Sequence, residues 1–141
     1  MNAAIESLLQ QHKDCDAHLS ACESALLGGR LVEAKERYAA FNKELEAHLS
    51  LEENQLFPAF EKATGIVAGP TEVMRQEHED LRLLLEQLGT AIESDKSREA
   101  LDVIDTMNVM IAQHNVKEEN VLYPMCANSI PDLDQILATG D

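Results

Sequence analysis

The sequence predicts an all-α fold, an up-down-up-down antiparallel four-helix bundle built from two duplicated helix hairpins. Apolar residues recur at spacings of three and four along four long stretches, which is the pattern of amphipathic helices. Ala, Leu, Glu, Gln and Lys are abundant whereas Gly and Pro are few, which favours helix over strand. The second half of the chain also repeats the first at an offset of 66 positions, so that His12 aligns with His78 and His48 with His114. Four helices with short connections are typical of such a bundle.

The first hairpin consists of two helices joined at Gly28-Gly29. The range from Ile5 to Leu26 carries the apolar stripe of the first helix, and the glycine pair predicts its end. The second helix begins near Arg30, and Pro58 predicts a kink in it because proline has no backbone donor. We expect this helix to end near Thr64-Gly65.

The second hairpin follows a loop over residues 66–70. Its first helix opens near Thr71, and a polar turn over residues 94–97 separates it from the last helix, which carries Leu101 and ends near residue 128. A chain of this length is sufficient for one hydrophobic core. The predicted domain is therefore 1–141, with the bundle over about 2–128 and a short polar tail over 129–141.

Charge and composition exclude several classes of partner. The formal net charge is -15 at pH 7, which is the wrong sign for binding nucleic-acid phosphates or an anionic membrane surface. No apolar run approaches the ~20 residues of a membrane span. The three cysteines, Cys15, Cys22 and Cys126, form no Cys-x-x-Cys pair, and we interpret them as small buried side chains in a cytoplasmic protein.

A repeated block carries the chemistry of the chain. It reads His-x-x-x-Glu-Glu-Asn-x-Leu-aromatic-Pro, from His48 to Pro58 and again from His114 to Pro124, with Phe57 replaced by Tyr123. Four residues make about one helical turn, so the histidine and the first glutamate of each block share one helix face, about 6 Å apart along the axis. An imidazole and a carboxylate stacked in this way, given twice, predict a metal pair bridged by two carboxylates. The second glutamate and the asparagine repeat as well, and they fit either a supporting role or a solvated helix face.

The geometry of the hairpins selects two further histidines. In an antiparallel hairpin, residues equidistant from the turn lie at the same height. His12 and His48 are equidistant from the first turn, and His78 and His114 from the second, so each hairpin places two histidines level with each other. His18 has no histidine at its repeat position or its mirror position, and we interpret it as a flank or core residue outside the ligand set.

Six polar side chains on the inner stripe of a bundle carry a large desolvation penalty unless something binds them. A metal removes this penalty by using their lone pairs, and imidazole with carboxylate suits iron, manganese or zinc. Four imidazoles and two bridging carboxylates would give each of two ions four donors, with room for a bridging oxo or hydroxo group and a small exogenous molecule. The predicted metal ligands are His12, His48, Glu52, His78, His114 and Glu118.

These motifs resemble the hemerythrin family of HHE cation-binding domains over about residues 5–128. The two His-x-x-x-Glu blocks with their trailing Leu-aromatic-Pro carry the likeness, supported by one histidine in each of the other two helices. The resemblance implies a four-helix bundle with a non-haem di-iron centre. It assigns two histidines to each Fe ion and one glutamate of each block to the bridge: His12 and His48, His78 and His114, Glu52 and Glu118.

The third helix differs from that of the oxygen-carrying members, which have two histidines a turn apart there. The corresponding places around His78 hold Met74 and Arg82, and neither is a good nitrogen donor for iron. The chain therefore resembles a six-ligand branch that includes iron-centre repair proteins and an iron-sensing ubiquitin-ligase domain. Reversible oxygen carriage is not the expectation.

Three functions are consistent with these residues. The first is a module that binds or senses a small oxidant, O2, NO or peroxide, at the metal pair; with no residues arranged for a larger substrate, a binding module is expected rather than a dedicated enzyme. The alternative is a di-iron oxidoreductase or an iron-centre repair protein in nitrosative or oxidative stress. The third is a structural zinc bundle. The expected partner is a small diatomic or peroxide ligand, with no nucleic acid and no membrane.

Overall fold

The computed structural model describes residues 2–138, and every regular element in that range is helical, so the predicted all-α class is confirmed. No strand occurs between those two residues. The described elements are α1 (Ala3–Leu27), α2 (Leu31–Leu51), a first π segment (Glu52–Leu56), α3 (Phe57–Thr64), α4 (Pro70–Glu93), α5 (Ser97–Lys117), a second π segment (Glu118–Leu122), α6 (Tyr123–Ser129) and α7 (Leu133–Ala138).

The four long helices pack against one another as a helical bundle. α1 contacts α2 and α5, and α4 contacts the same two helices, so each long helix has two long neighbours. Each of them buries one apolar stripe and leaves the opposite face to solvent. None of the helices within residues 2–138 combines the length and the hydropathy required to cross a membrane.

The two hairpin turns have a similar backbone conformation at equivalent positions of the repeat. Gly29 has a φ of 72° and Asp95 a φ of 56°, both in the left-handed region. In each turn, the amide of the following residue donates to the carbonyl five positions earlier, at 2.8 Å. This pattern satisfies carbonyls left free at a helix end and requires a residue that tolerates positive φ, which Gly and Asp do. The turns therefore fall where the sequence predicts them.

Both motif blocks contain a π segment, whereas the sequence predicts a kink at Pro58. Each segment begins at the first glutamate of its block, Glu52 or Glu118. The amide of Phe57 donates to the Glu52 carbonyl five residues earlier, and Tyr123 donates to Glu118 in the same way. The proline lies in the first turn of the next α-helix, where its missing amide donor is not required. The wider turn therefore lies at the glutamates, before the proline.

Two apolar clusters fill the bundle and leave a polar layer between them. The larger cluster contains Phe41 and the smaller one contains Phe60. Along α1, His12 lies between Leu8 of the smaller cluster and Cys15 of the larger one. The order is the same along α4 and reversed along α2 and α5, where the larger cluster precedes the histidine. The apolar packing on both sides therefore holds the buried polar residues at one level of the bundle.

A short helix, α7, lies within the stretch 129–141 that the sequence predicts as a polar tail. Leu133 and Leu137 are buried in the smaller cluster, and the Ala4 amide donates to Asp134 Oδ1 at 2.9 Å. Leu133, Ile136 and Leu137 have the spacing of a helix face, but so short a stretch does not predict a helix by itself, and contact with α1 fixes it. The end of the predicted tail, residues 139–141, lies outside the described residues.

Candidate metal centre

The structure brings the six predicted ligands together between the two apolar clusters. All six are buried, and none is more than 5% exposed. Each imidazole Nε2 lies between 3.0 and 3.5 Å from a carboxylate oxygen. The residues that meet here are His12 from α1, His48 from α2, Glu52 from the first π segment, His78 from α4, His114 from α5 and Glu118 from the second π segment.

The donor atoms form two groups of four, and both groups include the two glutamates. Within each group, the donor atoms all lie within 4.8 Å of one another. We call the group with His12 and His48 position 1, and the group with His78 and His114 position 2. Glu52 Oε2 and Glu118 Oε1 are closest to the imidazoles of position 1, and the other two carboxylate oxygens to those of position 2. Each glutamate therefore presents one oxygen to each position.

Position 2 consists of donor atoms that have no hydrogen-bond partner among the described residues. Although His78 Nε2 lies 3.0 Å from Glu52 Oε1, the two atoms are not aligned for a hydrogen bond. Leaving a buried polar atom unsatisfied costs about 1–3 kcal/mol, and a bound cation would satisfy all of them at once. The residues present therefore fit a metal ion. The unsatisfied atoms are Glu52 Oε1, His78 Nε2, His114 Nε2 and Glu118 Oε2.

An outer set of side chains holds the Nδ1 atom of every imidazole in the centre. Each partner offers an acceptor oxygen, so each Nδ1–H donates outward and each Nε2 faces the interior. The second glutamate of each motif block is thereby assigned to the supporting role, whereas the asparagine that follows it is exposed. The pairs are His12–Glu119 at 2.7 Å, His48–Gln11 at 2.6 Å, His78–Glu53 at 2.7 Å and His114–Glu77 at 2.8 Å.

Sequence reasoning missed Gln11 and Glu77. Each directly precedes a candidate ligand, His12 or His78, and the two occupy equivalent positions of the repeat. That equivalence is the signal that could have identified them. It is difficult to recognise because the residue is a glutamine in one half and a glutamate in the other. Both reach across to the second helix of their own hairpin to hold its histidine.

Residues 3–126 match the hemerythrin HHE cation binding domain in a comparison with protein families. The chain belongs to this family. Comparison with curated proteins gave no match, and comparison with solved structures gave none either. The matched range includes both groups of donors, which agree with a cation-binding role for the hemerythrin domain.

The interior of this hemerythrin domain attracts positive charge. Burial lowers the pKa of His48, but the carboxylates of Glu52 and Glu118 outweigh burial and raise it to about 10. A similar balance raises the pKa of His78 to about 9. Burial raises the pKa of Glu118, yet the four imidazoles around its carboxylate hold that pKa well below the usual value. Cations bound between the two carboxylates would experience the same attraction.

Tyr123 is a seventh polar residue of the centre, which the sequence marks only as the counterpart of Phe57. Its hydroxyl donates to Glu52 Oε2 at 2.6 Å and lies 3.1 Å from both Glu118 Oε1 and His12 Nε2. The side chain is fully buried, and its ring stacks on the His12 imidazole with the centroids 5.6 Å apart. Burial and the two carboxylates raise the pKa of Tyr123 well above its usual value, so the phenol is a neutral donor.

Three other candidate residues lie outside the centre of the hemerythrin domain. His18 is partly exposed, and its Nε2 lies 3.2 Å from Glu44. Met74 packs in the smaller apolar cluster. The guanidinium of Arg82 donates to Glu53 at 2.7 Å, and so binds the carboxylate that holds His78 instead of reaching the interior.

The three cysteines are buried, as predicted, and unpaired. Burial raises the pKa of Cys15 and of Cys126 to about 12, and that of Cys22 to about 11. Thiols with such pKa values are protonated at neutral pH, and the protonated form is a poor metal ligand. No cysteine belongs to either group of donors.

Proposed function

We propose that the chain binds two iron ions at positions 1 and 2, and that the pair binds or senses a small oxidant, O2, NO or peroxide. The observation that carries the proposal is that two groups of four buried donors share Glu52 and Glu118. Two cations bridged by these carboxylates would use one oxygen of each glutamate at each position. The ligands of this proposal are His12, His48, Glu52, His78, His114 and Glu118.

Iron is the metal that the donors and the family together favour. Imidazole and carboxylate donors suit iron, manganese and zinc, and the resemblance to hemerythrins favours iron among them. A single tetrahedral zinc would require only four of the six donors. When bound, iron supplies redox chemistry and a point of attachment for a small molecule. The side chains of the protein hold and orient the donors, and the two apolar clusters keep bulk water away.

The space beside the centre supports a small ligand. A cavity of about 10 Å³ borders three of the four imidazoles. A volume of this size holds about one water molecule, so a larger substrate does not fit without rearrangement. The walls around it favour an uncharged diatomic molecule, because the apolar side chains that line it are Leu45, Leu49, Leu81 and Ile111.

Finer features of the assignment belong to the same proposal. We place the chain in the six-ligand branch because Met74 and Arg82 contribute no nitrogen ligand to position 2. The four long helices run up, down, up and down, which the tight turns within each hairpin support. The unpaired thiols support a reducing cytoplasm. A single domain over residues 1–141 remains a prediction.

The proposal is tested by metal quantitation on the full chain purified without added metal, with absorption spectra before and after azide is added to the oxidised protein. We expect two iron ions per chain and a new charge-transfer band with azide. His114→Ala is expected to lower the iron content to about one ion because it removes a donor of position 2 alone. His18→Ala is the matched control and should leave two ions.

Each alternative has its own outcome in this experiment. Zinc alone, with no spectral response to azide, would mean a structural metal bundle. Multiple turnovers of NO or peroxide by the pure protein would favour the oxidoreductase or repair function. Two ions retained by the His114→Ala variant would contradict the ligand assignment.

A further inference from the structure

Positions 1 and 2 are related by the repeat, but their donors have different neighbours. At position 1, the Tyr123 hydroxyl lies within 3.1 Å of three of the four donor atoms, on His12, Glu52 and Glu118. At position 2, the equivalent residue is Phe57, whose ring packs 5.4 Å from the imidazole of His78 and offers no polar atom. Position 1 therefore has a hydrogen-bond donor built into it, whereas the donor atoms of position 2 have no partner in residues 2–138.

The residues that hold the imidazoles at Nδ1 also favour metal binding at position 2, and they do so independently of Tyr123. His114 at position 2 donates its Nδ1–H to the carboxylate of Glu77, which also binds Lys117. His48 at position 1 donates to the neutral amide oxygen of Gln11. A carboxylate partner makes an imidazole a more basic ligand than an amide partner does. Position 2 thus has the more basic imidazole, that of His114, as well as the four donor atoms without a hydrogen-bond partner.

We infer that the two positions load in order, position 2 before position 1, and that Tyr123 is the residue that separates the two steps. The inference rests on the proposed two-metal function and adds an order to it. Tyr123 acts as a positioning residue, because its hydroxyl holds Glu52 and the atoms around it in hydrogen bonds before a cation arrives.

The order follows from what each cation displaces. A cation at position 2 meets four donor atoms that have no hydrogen-bond partner among residues 2–138, so no hydrogen bond is lost when it enters. A cation at position 1 competes with the hydroxyl of Tyr123 for Glu52 Oε2, and with the close contact of 3.0 Å between His12 Nε2 and Glu118 Oε1. One hydrogen bond to a charged group corresponds to about a tenfold difference in dissociation constant.

Solvent reaches the two positions differently, which agrees with this order. An open cleft of about 520 Å³ has His48 and Gln11 in its wall, together with the acidic residues Asp14 and Glu44. The cleft leads from solvent to the outer side of His48, and the imidazoles of position 1 are 5% and 4% exposed against 3% and 0% at position 2. The ion that binds second is therefore also the one expected to exchange first with a chelator.

The order is tested by titrating the metal-free full chain with cobalt(II), followed by visible absorption and calorimetry. The wild-type chain should take up two equivalents in two steps whose dissociation constants differ at least about tenfold. Tyr123→Phe should tighten the weaker step until the two constants lie within about threefold of each other. Phe57→Tyr is the matched counterpart, since it places a hydroxyl at position 2, and it should weaken the tighter step.

Single-position variants assign the two steps. His48→Ala retains an intact position 2 and His114→Ala an intact position 1, so the first should bind cobalt at least about tenfold more tightly than the second. Adding Tyr123→Phe should strengthen binding in the His114→Ala background and leave it unchanged in the His48→Ala background. This comparison does not depend on whether the Phe57→Tyr variant folds.

The inference fails if the wild-type chain binds two equivalents with a single affinity, or if Tyr123→Phe leaves the separation unchanged. Equal shifts of both steps in Tyr123→Phe would also overturn it, because Tyr123 would then act through the fold alone. Uptake of fewer than two equivalents by the wild-type chain would contradict the proposed function instead, so the two failures are distinguishable.

Discussion

The half of the chain from α1 to α3 and the half from α4 to α6 contribute the same donors from the same places. Each half supplies one histidine from each of its two long helices, and one glutamate from the π segment that follows the second. In each half a π segment begins at that glutamate, one histidine is held at Nδ1 from within the half, and the other is held at Nδ1 by a glutamate of the other half. The proposed pair of cations requires equivalent ligands twice, and the duplication supplies them.

The differences between the halves lie around the donors. Tyr123 of the second half corresponds to Phe57 of the first, and its hydroxyl gives Glu52 and Glu118 a hydrogen-bond partner that Phe57 does not offer. Arg82, which binds Glu53, corresponds to Asp16, so only one of these two positions has a positively charged side chain. The repeat therefore preserves the atoms that face the centre, whereas the residues around those atoms differ between the halves. Substitutions at equivalent positions should therefore have equal effects at the six donor residues and unequal effects at the residues around them.

The largest effect is expected at the bridging acids, where the two halves should behave alike. Glu118→Gln converts the carboxylate that faces both positions into a neutral amide with one acceptor oxygen instead of two, and should lower the metal content from two ions to fewer than about one. Glu52→Gln should do the same. Metal quantitation after gel filtration measures the loss, and helical content by circular dichroism confirms that the variants fold.

The terminal ligands provide the contrast for this prediction. His12→Ala and His78→Ala each remove a donor from one position and should each leave about one ion. A Glu118→Gln chain that retains one ion as tightly as these variants would contradict the bridging role. A difference between Glu52→Gln and Glu118→Gln would show that the halves are unequal at the donor residues as well.

A second difference between the halves appears where each one ends. After the second half, α7 folds back and buries Leu133, whereas the equivalent residue after the first half, Val67, is 65% exposed. Leu133→Ala should lower the free energy of unfolding of the metal-free chain by about 2–4 kcal/mol, because it leaves a cavity in the smaller cluster. Urea denaturation measures it.

Val67→Ala is the control at the equivalent place and should change the free energy of unfolding by less than about 0.5 kcal/mol. If the two substitutions had equal effects, α7 would not be packed on the bundle in solution. An effect of Leu133→Ala confined to the slope of the urea transition would point to a change in the unfolded state.

The donors could be predicted from the sequence because three regularities coincide on them. Helical spacing pairs His48 with Glu52, the repeat supplies the second copy, and the hairpin symmetry adds His12 and His78. The four long helices follow from apolar periodicity, and their turns from Gly29 and its neighbours. Each of these signals is local or periodic, which is why a single sequence carries it.

The surroundings of the donors could not be predicted because they depend on contacts between helices. Gln11 and Glu77 differ in residue type, so the repeat does not reveal a shared role that is visible only in their contacts with Nδ1. Tyr123 reads as an exchange of one aromatic residue for another until the atoms within reach of its hydroxyl are known. Pro58 lacks a backbone amide donor, which the sequence shows, but packing decides whether the helix kinks or widens into a π segment.

The smallest effect is expected in the outer support, where the guanidinium of Arg82 donates to Glu46 at 3.0 Å and to Glu53 at 2.7 Å. Arg82→Met should lower the free energy of unfolding of the metal-free chain by about 1 kcal/mol in urea, and the effect should shrink in 1 M salt because the pairs are partly exposed. Lys117→Met removes the cation that binds Glu77, but the Lys117 side chain is 52% exposed, so its effect should stay below about 0.5 kcal/mol. Equal effects would mean that Glu53 and Glu77 are held equally well. Arg82 would then give the support of His78 no advantage over that of His114. An Arg82 effect that persists in salt would assign the stabilisation to packing of its aliphatic stem instead of to its charge.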